Sequence, residues 1–378
     1  MNVPTRWARR IAEPLLDATR PHRWARRKEL YNFVDQPRKT PAAIRSDLRT
    51  WQAKYGMCDF SYFEYGADIE GRDIDRYMPY VVFKEHRNAT NRTLVGPDDF
   101  SYECLLEDKT VFERYARACG HATPETRAVF TSEGFVLPGS RETLPADTFA
   151  DVFPEFSGIL KPITGGGGAD VFRIVSSDGV VRVNGEPTDL AVFCKSFRAH
   201  HILQAFIQQH DALAALNASS VNTLRLLTVR DEHGARPLSA VLKAGSVGGW
   251  IDNVQRGGLA VLVDLKRGAL RGRGILSPGN PTVAAHPDSG VVLDGYAVPH
   301  LDAAVRAACA FHEDLYGFHS IGWDIAITDD GPLIIEGNNT WSGYFHFTLD
   351  PDFLARYLET LGPLPPQPYR HQHAPFIR

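Results

Sequence analysis

Long hydrophobic runs are missing from this sequence. No stretch of its 378 residues approaches the roughly 20 consecutive apolar residues that cross a bilayer, so no transmembrane segment is expected. The first residues lack the apolar core of a signal peptide, and a cytoplasmic chain is expected. Cysteine is scarce. Cys58, Cys104, Cys119, Cys194 and Cys309 are scattered, odd in number and without C-x-x-C spacing. That pattern fits a reducing compartment and argues against a disulfide framework or a zinc site. Three N-x-S/T matches, at Asn88, Asn91 and Asn217, carry no weight without an export signal. Neither sign of charge prevails. Lys plus Arg number 41 and Asp plus Glu 45, a formal charge of −4 that gives no global case for nucleic acid. No Ser-His-Asp or Cys-His arrangement is evident. A Walker A loop is missing too, because the glycines at 165–168 are not followed by Lys-Ser/Thr.

What is present suffices for two or three domains with a large core. The most informative stretch is IGWDIAITDDGPLIIEGNN, Ile321 to Asn339. Two apolar runs flank Asp329-Asp330-Gly331, which predicts a hairpin with a three-residue turn. That register pairs Thr328 with Pro332, Ile327 with Leu333, and Asp324 with Glu336. Asn338 shares the face of Glu336 and stands opposite Gly322. Two carboxylates facing each other repel unless a cation lies between them. Asp324, Glu336 and Asn338 are hard oxygen ligands suited to Mg²⁺, which also keeps waters and substrate phosphates.

The second stretch is GILKPITGGGGADVFRI, Gly158 to Ile174. A strand carrying Lys161, then Gly165, Gly166, Gly167 and Gly168, then another strand, reads as a loop whose N–H groups close over phosphates. Lys161 adds a point charge. Lys109 opens a helix expected from Leu105 to Cys119, with Asp108 as a plausible N-cap and Gly120 as its stop. Gln204, Ala205, Phe206 and Ile207 end a short strand and form a candidate hinge that reads an adenine edge. Ser220 to Val229 is a strand in which Arg225 sits among apolar neighbours, and a buried arginine needs an anion. Arg271 to Asp294, rich in Gly and Pro, is expected to be a surface loop. His300 to Tyr316 and Phe353 to Leu361 are expected helices. An Arg-rich amphipathic helix is expected before Pro21. It is either a solvated face packed on the body or a basic face for an anionic membrane or polysaccharide surface. Cys58 to Asn91 is aromatic and serves either core packing or an acceptor pocket.

KPITGGGGADVFRI, SSVNTLRLLTV, IDNVQRGGLAVLVD and IGWDIAITDDGPLIIEGNN occur in this order. Together they resemble the ATP-grasp superfamily, and within it the sugar-transfer-associated branch related to α-L-glutamate ligases, over roughly residues 108–361. The resemblance implies an α+β fold of two lobes clasping ATP, with a mainly helical N-terminal extension. The implied division is an extension over 1–100, a first lobe over 101–207, a second over 208–362 and a tail over 363–378. Lys109 and Lys161 match phosphate-binding lysines, Gly165–Gly168 the lid, and Gln204–Ile207 the adenine hinge. Asp324, Glu336 and Asn338 match the metal ligands. Asn222, Arg225, Lys243 and Asn253 match positions lining the phosphate and acceptor side. Lys243 stands where related ligases often have arginine. Gln204 replaces an acid common at the hinge, with His210 or Asp211 left to meet the ribose. The implied chemistry is ATP- and Mg²⁺-dependent joining of a small-molecule or sugar-linked carboxylate to an amine, in glycan or exopolysaccharide assembly. A kinase on the same scaffold and a nucleotide-binding partner without turnover are the alternatives.

Overall fold

The computed structural model describes residues 33–93, 102–165, 170–245, 258–276 and 281–362. The expected N-terminal helix and the tail after 362 lie outside the described residues. The longer helices are α1 (Pro41–Tyr55), α2 (Tyr80–Thr93), α3 (Lys109–Ala118), α4 (Leu301–Asp314), α5 (Tyr344–Leu349) and α6 (Phe353–Leu361). The first strands are β1 (Thr126–Phe130), β2 (Phe135–Val136), β3 (Phe156–Pro162), β4 (Phe172–Ser177), β5 (Val180–Val183), β6 (Glu186–Pro187) and β7 (His201–Ala205). They form one sheet in the order β2-β1-β7-β3-β4-β5-β6. The later strands are β8 (Thr223–Asp231), β9 (Gly234–Ala244), β10 (Leu259–Asp264), β11 (Ala269–Leu276), β12 (Thr282–Val283), β13 (Ser320–Thr328) and β14 (Gly331–Asn338). Their order is β12-β11-β10-β9-β8-β13-β14.

The described chain divides into two compact units. One holds residues 33–89 and 343–362 with 281–282; the other holds the described residues from 90 to 342 apart from those two. The described residues after Ser342 cluster with the N-terminal ones. In the first unit, Thr40 caps α1 by accepting the Ala43 N–H, and Pro41 is pre-organised for its first turn. The aromatics of 58–91 fill a core. Tyr65 stacks on Phe347, and Phe83 meets Phe347 edge-on at 5.2 Å. Tyr62 meets the fully buried Trp51 edge-on. Such rings contribute through large buried area and preferred edge-to-face geometry.

In the second unit, strand alternation separates core from site. Leu224, Leu226, Trp323, Ile325 and Ile327 join Leu301, Ala304, Ala308 and Phe311 of α4 in one apolar cluster. Burying each Leu or Ile stabilises by about 1.5–3 kcal/mol. Period two then turns Arg225 and Asp324 to the opposite face of that sheet. The β1–β7 sheet behaves alike. Leu160, Ile174 and Leu203 pack into its core, so Lys161 points the other way.

Three expectations need correction. The helix expected over Leu105–Cys119 is broken at Asp108, whose extended backbone lets its carboxylate accept the Thr110 and Val111 N–H groups and cap α3. Residues 271–276, the start of the expected surface loop, belong to β11 (Ala269–Leu276) instead. Leu270 and Ile275 are buried against β10, and Gly272 adopts φ +72 beside a bulge. The turn of the β13–β14 hairpin has two residues, not three, since Thr328 pairs with Gly331 and Ile327 with Pro332.

Candidate active site

The two-residue turn should have spoiled the carboxylate pair, because a one-residue slip turns every side chain to the other face. A bulge between Asp324 and Ile325 restores it. Ile325 pairs with Ile334, Ile335 is left over, and Asp324 pairs with Glu336 and Gly322 with Asn338. Asn338 Nδ2 lies 3.4 Å from Glu336 Oε1 and 3.4 Å from the Gly322 carbonyl. A side chain at 322 would collide with Trp341, whose Cβ is 2.6 Å from where a Gly322 Cβ would stand.

Cations surround the pair. Arg225, the cross-strand neighbour of Asp324 on β8, donates through Nη2 to Asp324 Oδ2 at 2.7 Å. Lys243 on β9 places Nζ 2.9 Å from the other oxygen. The Asp324 side chain is only 8 % exposed. Burial raises its carboxyl pKa, but Arg225 and then Lys243 more than offset that and hold it at about 2. Lys109, first residue of α3, donates to the Gly165 carbonyl at 2.7 Å and stands 4.0 Å from Glu336. Its own N–H is held by the Ile163 carbonyl. Burial pushes the Lys161 ammonium down to about 8, with Glu336 opposing and Lys109 adding to the effect. Four cationic side chains thus converge on two carboxylates, a balance that favours a polyanion.

Not every expected residue reaches this place. Asn222 is fully buried. Its amide donates to the Leu213 and Asn217 carbonyls and its Oδ1 accepts the Gly245 N–H, so it fixes a turn and keeps no donor for a ligand. The Gln204 side chain is likewise committed, to the Pro124 carbonyl. Ala205 pairs with Gly158, and the Phe206 N–H bonds the Ser157 carbonyl. Gly158 allows that approach, because a Cβ there would lie 2.4 Å from the Gln204 carbonyl oxygen. Ile207 follows, half-buried. His210 caps the turn at Asp211–Ala214 and comes within 3.8 Å of Asp329. Gly165 is described with φ +95, whereas Gly166, Gly167, Gly168 and Asn253 lie outside the described residues. Among the described residues no three His, Cys, Asp or Glu side chains cluster as a metal site. The acid–acid–amide set is of a different kind. Arg173, inside the glycine-loop motif but given no role there, has its guanidinium over the Phe206 ring; its one signal is that it is the charged residue of strand β4.

The description of the sugar-transfer associated ATP-grasp family matches residues 98–349, well over half of the chain. The chain belongs to this family. Membership and the two antiparallel sheets with their helices agree on an α+β ATP-grasp fold. Several solved structures are similar. One is a RimK domain ATP-grasp protein from Sphaerobacter thermophilus, at 14 % identity over 66 % of this chain and 68 % of that one, with TM-score 0.34. Another is a D-alanine-D-alanine ligase from Coxiella burnetii, at 8 % over 68 % and 57 %, with TM-score 0.37. A third is N5-carboxyaminoimidazole ribonucleotide synthetase from Thermotoga maritima, at 12 % over 69 % and 51 %, with TM-score 0.34. The matched stretch thus spans between about half and two thirds of those chains, and likenesses this distant say nothing about substrate. No curated protein matches the sequence. No helix among the described residues is long and apolar enough to cross a membrane.

Proposed function

We propose that this family member is an ATP- and Mg²⁺-dependent ligase joining a carboxylate to an amine, with substrates drawn from glycan or amino-acid-conjugate assembly. The observation that carries the reading is the Asp324–Glu336 pair on one sheet face, ringed by Lys109, Lys161, Arg225 and Lys243. A hydrolase working through a covalent intermediate would need a protein nucleophile and its base. Phosphoryl transfer needs positioned charge instead.

The residues fit a hard divalent ion. Two cations occupy two of the roughly four lone-pair sites of Asp324, leaving others open. The Glu336 side chain is 26 % exposed, and the Asn338 amide lies beside it. Asp324, Glu336 and Asn338 would hold Mg²⁺, which when bound would supply positive charge to offset that of the terminal phosphates.

The chain's own groups do the rest. Lys109, Lys161 and the 165–168 glycines bind the phosphates, and Gln204–Ile207 border the base. The first lobe, 101–207, and the second, from 208, grip the nucleotide between them. Arg225, Lys243 and Asn253 orient the substrate carboxylate. Its oxygen attacks the γ-phosphorus and ADP leaves; the amine nitrogen then attacks the acyl carbon, losing a proton as phosphate departs. Holding these reactants in line supplies most of the rate enhancement.

Mass spectrometry of products from ATP, pooled amino acids and amino or uronic sugars tests the reading. An amide with matching ADP and phosphate is expected. A phosphate ester formed without an amine would mean a kinase, and no ADP with any acceptor would refute turnover.

A further inference from the structure

Arg173 takes part in none of the ion pairs above, yet the sheet register places it on the site side. Ile159 pairs with Arg173 on one flank and with Gln204 on the other, so the three share a face. Lys161, two residues along β3, shares it too. The opposite face carries the core residues Leu160, Ile174 and Leu203.

Three contacts hold Arg173 in one attitude. Its N–H donates to Asn184 Oδ1 at 2.9 Å, and its carbonyl accepts the Asn184 N–H at 2.8 Å. Asn184 makes both bonds from a left-handed backbone, φ +53, which asparagine tolerates better than most residues. The guanidinium sits 5.0 Å from the centroid of the Phe206 ring. That ring is itself anchored by the Phe206 N–H on the Ser157 carbonyl at 2.9 Å. A guanidinium is a plane with two faces. Phe206 covers one, and the side chain as a whole is only half-buried. Its Nε is shielded from solvent and bonds to no group.

Direction along the strand supplies the ligand. From Lys161 to Ser157, β3 runs about 13 Å at the usual rise per residue. That is the span from the phosphates of a nucleotide to its base. We infer that Arg173, backed by Phe206, is the nucleobase-binding residue. The base stacks on the face of the guanidinium away from Phe206. Stacking on arginine planes and aromatic rings is a general mode of base recognition. The inference rests on the nucleotide reading above.

Calorimetry on the full chain with Mg²⁺, using ATP and inorganic tripolyphosphate as separate probes, tests it. Arg173→Ala and Arg173→Lys should each weaken ATP binding about tenfold, a typical loss for one stacked base. Arg173→Lys, which keeps the charge and loses the plane, should leave tripolyphosphate binding unchanged and guards against a misfolded alanine variant. Wild-type ATP affinity in Arg173→Lys, or equal losses for both probes, would overturn the assignment. So would a wild-type chain that binds tripolyphosphate and gains nothing from adenosine. A wild-type chain binding neither probe would instead refute the nucleotide reading, and this inference with it.

Discussion

Replacing Asp324 by Asn should destabilise the protein even with no metal or nucleotide in solution. Asp324 is the buried counter-charge of Arg225 and Lys243, whose side chains are 19 % and 13 % exposed. Two estimates of its worth converge. A carboxyl held at about 2 instead of its ordinary 3.8 corresponds to about 2.5 kcal/mol. Removing one partner from a buried ion pair costs about 3–5 kcal/mol in general. A loss of about 3 kcal/mol is therefore expected in urea unfolding followed by circular dichroism, with EDTA present to exclude a metal contribution. Glu336→Gln is the control. Its nearest described cation is 4.0 Å away and its side chain is 26 % exposed, so about 1 kcal/mol or less is expected. Because the folded pKa of Asp324 is depressed, its contribution is present above about pH 4 and lost as pH falls toward 2. The gap between wild type and Asp324→Asn should close over that window. A variant within 0.5 kcal/mol of wild type at pH 7, or a Glu336→Gln loss of equal size, would refute the reasoning.

Other outcomes follow from the same geometry. Asn222→Ala should cost about 1–3 kcal/mol in urea unfolding, since it leaves the Gly245 N–H without its acceptor and takes one donor each from the Leu213 and Asn217 carbonyls, which keep others, while ATP affinity of the folded variant stays unchanged. His312 is buried neutral between Thr228 and the Phe318 carbonyl, and burial lowers its pKa to about 4. Its contribution is complete above about pH 6.5 and lost as pH falls toward 4; His312→Gln should flatten the acid limb of a stability–pH profile, and an unchanged limb would contradict this. Lys161, with its ammonium brought down to about 8, should release bound ATP as pH rises from 7 to 9, and Lys161→Gln should abolish that dependence in calorimetric titrations.

Part of this was legible in the residues alone. Period two and a turn signal predict the pairing of Asp324 with Glu336, and it is present although the turn is one residue shorter than the pattern predicts. One residue fewer in the turn and one extra at Ile335 cancel, which no pattern of apolar residues reveals. The Gly and Pro of residues 271–294 read as a loop because their strand-breaking tendency is local, whereas β11 is held by pairing with β10. The sequence marks Asp108 as a cap, but the same cap also breaks the helix before it, because its extended backbone cannot continue the turn of Cys104–Glu107. Asn222 stood in a motif beside Arg225, and only coordinates reveal that its amide is spent on its own turn. The pair of Lys109 with Glu336 joins residues more than two hundred positions apart and leaves no periodic trace.

The most direct test of the central claim is calorimetric titration of ATP into wild type and Glu336→Gln, each with Mg²⁺ and with EDTA. Wild type should bind ATP only when Mg²⁺ is present, and Glu336→Gln should lose at least tenfold in affinity. Equal ATP affinity in EDTA, or in Glu336→Gln, would contradict a metal–nucleotide site at the Asp324–Glu336 pair.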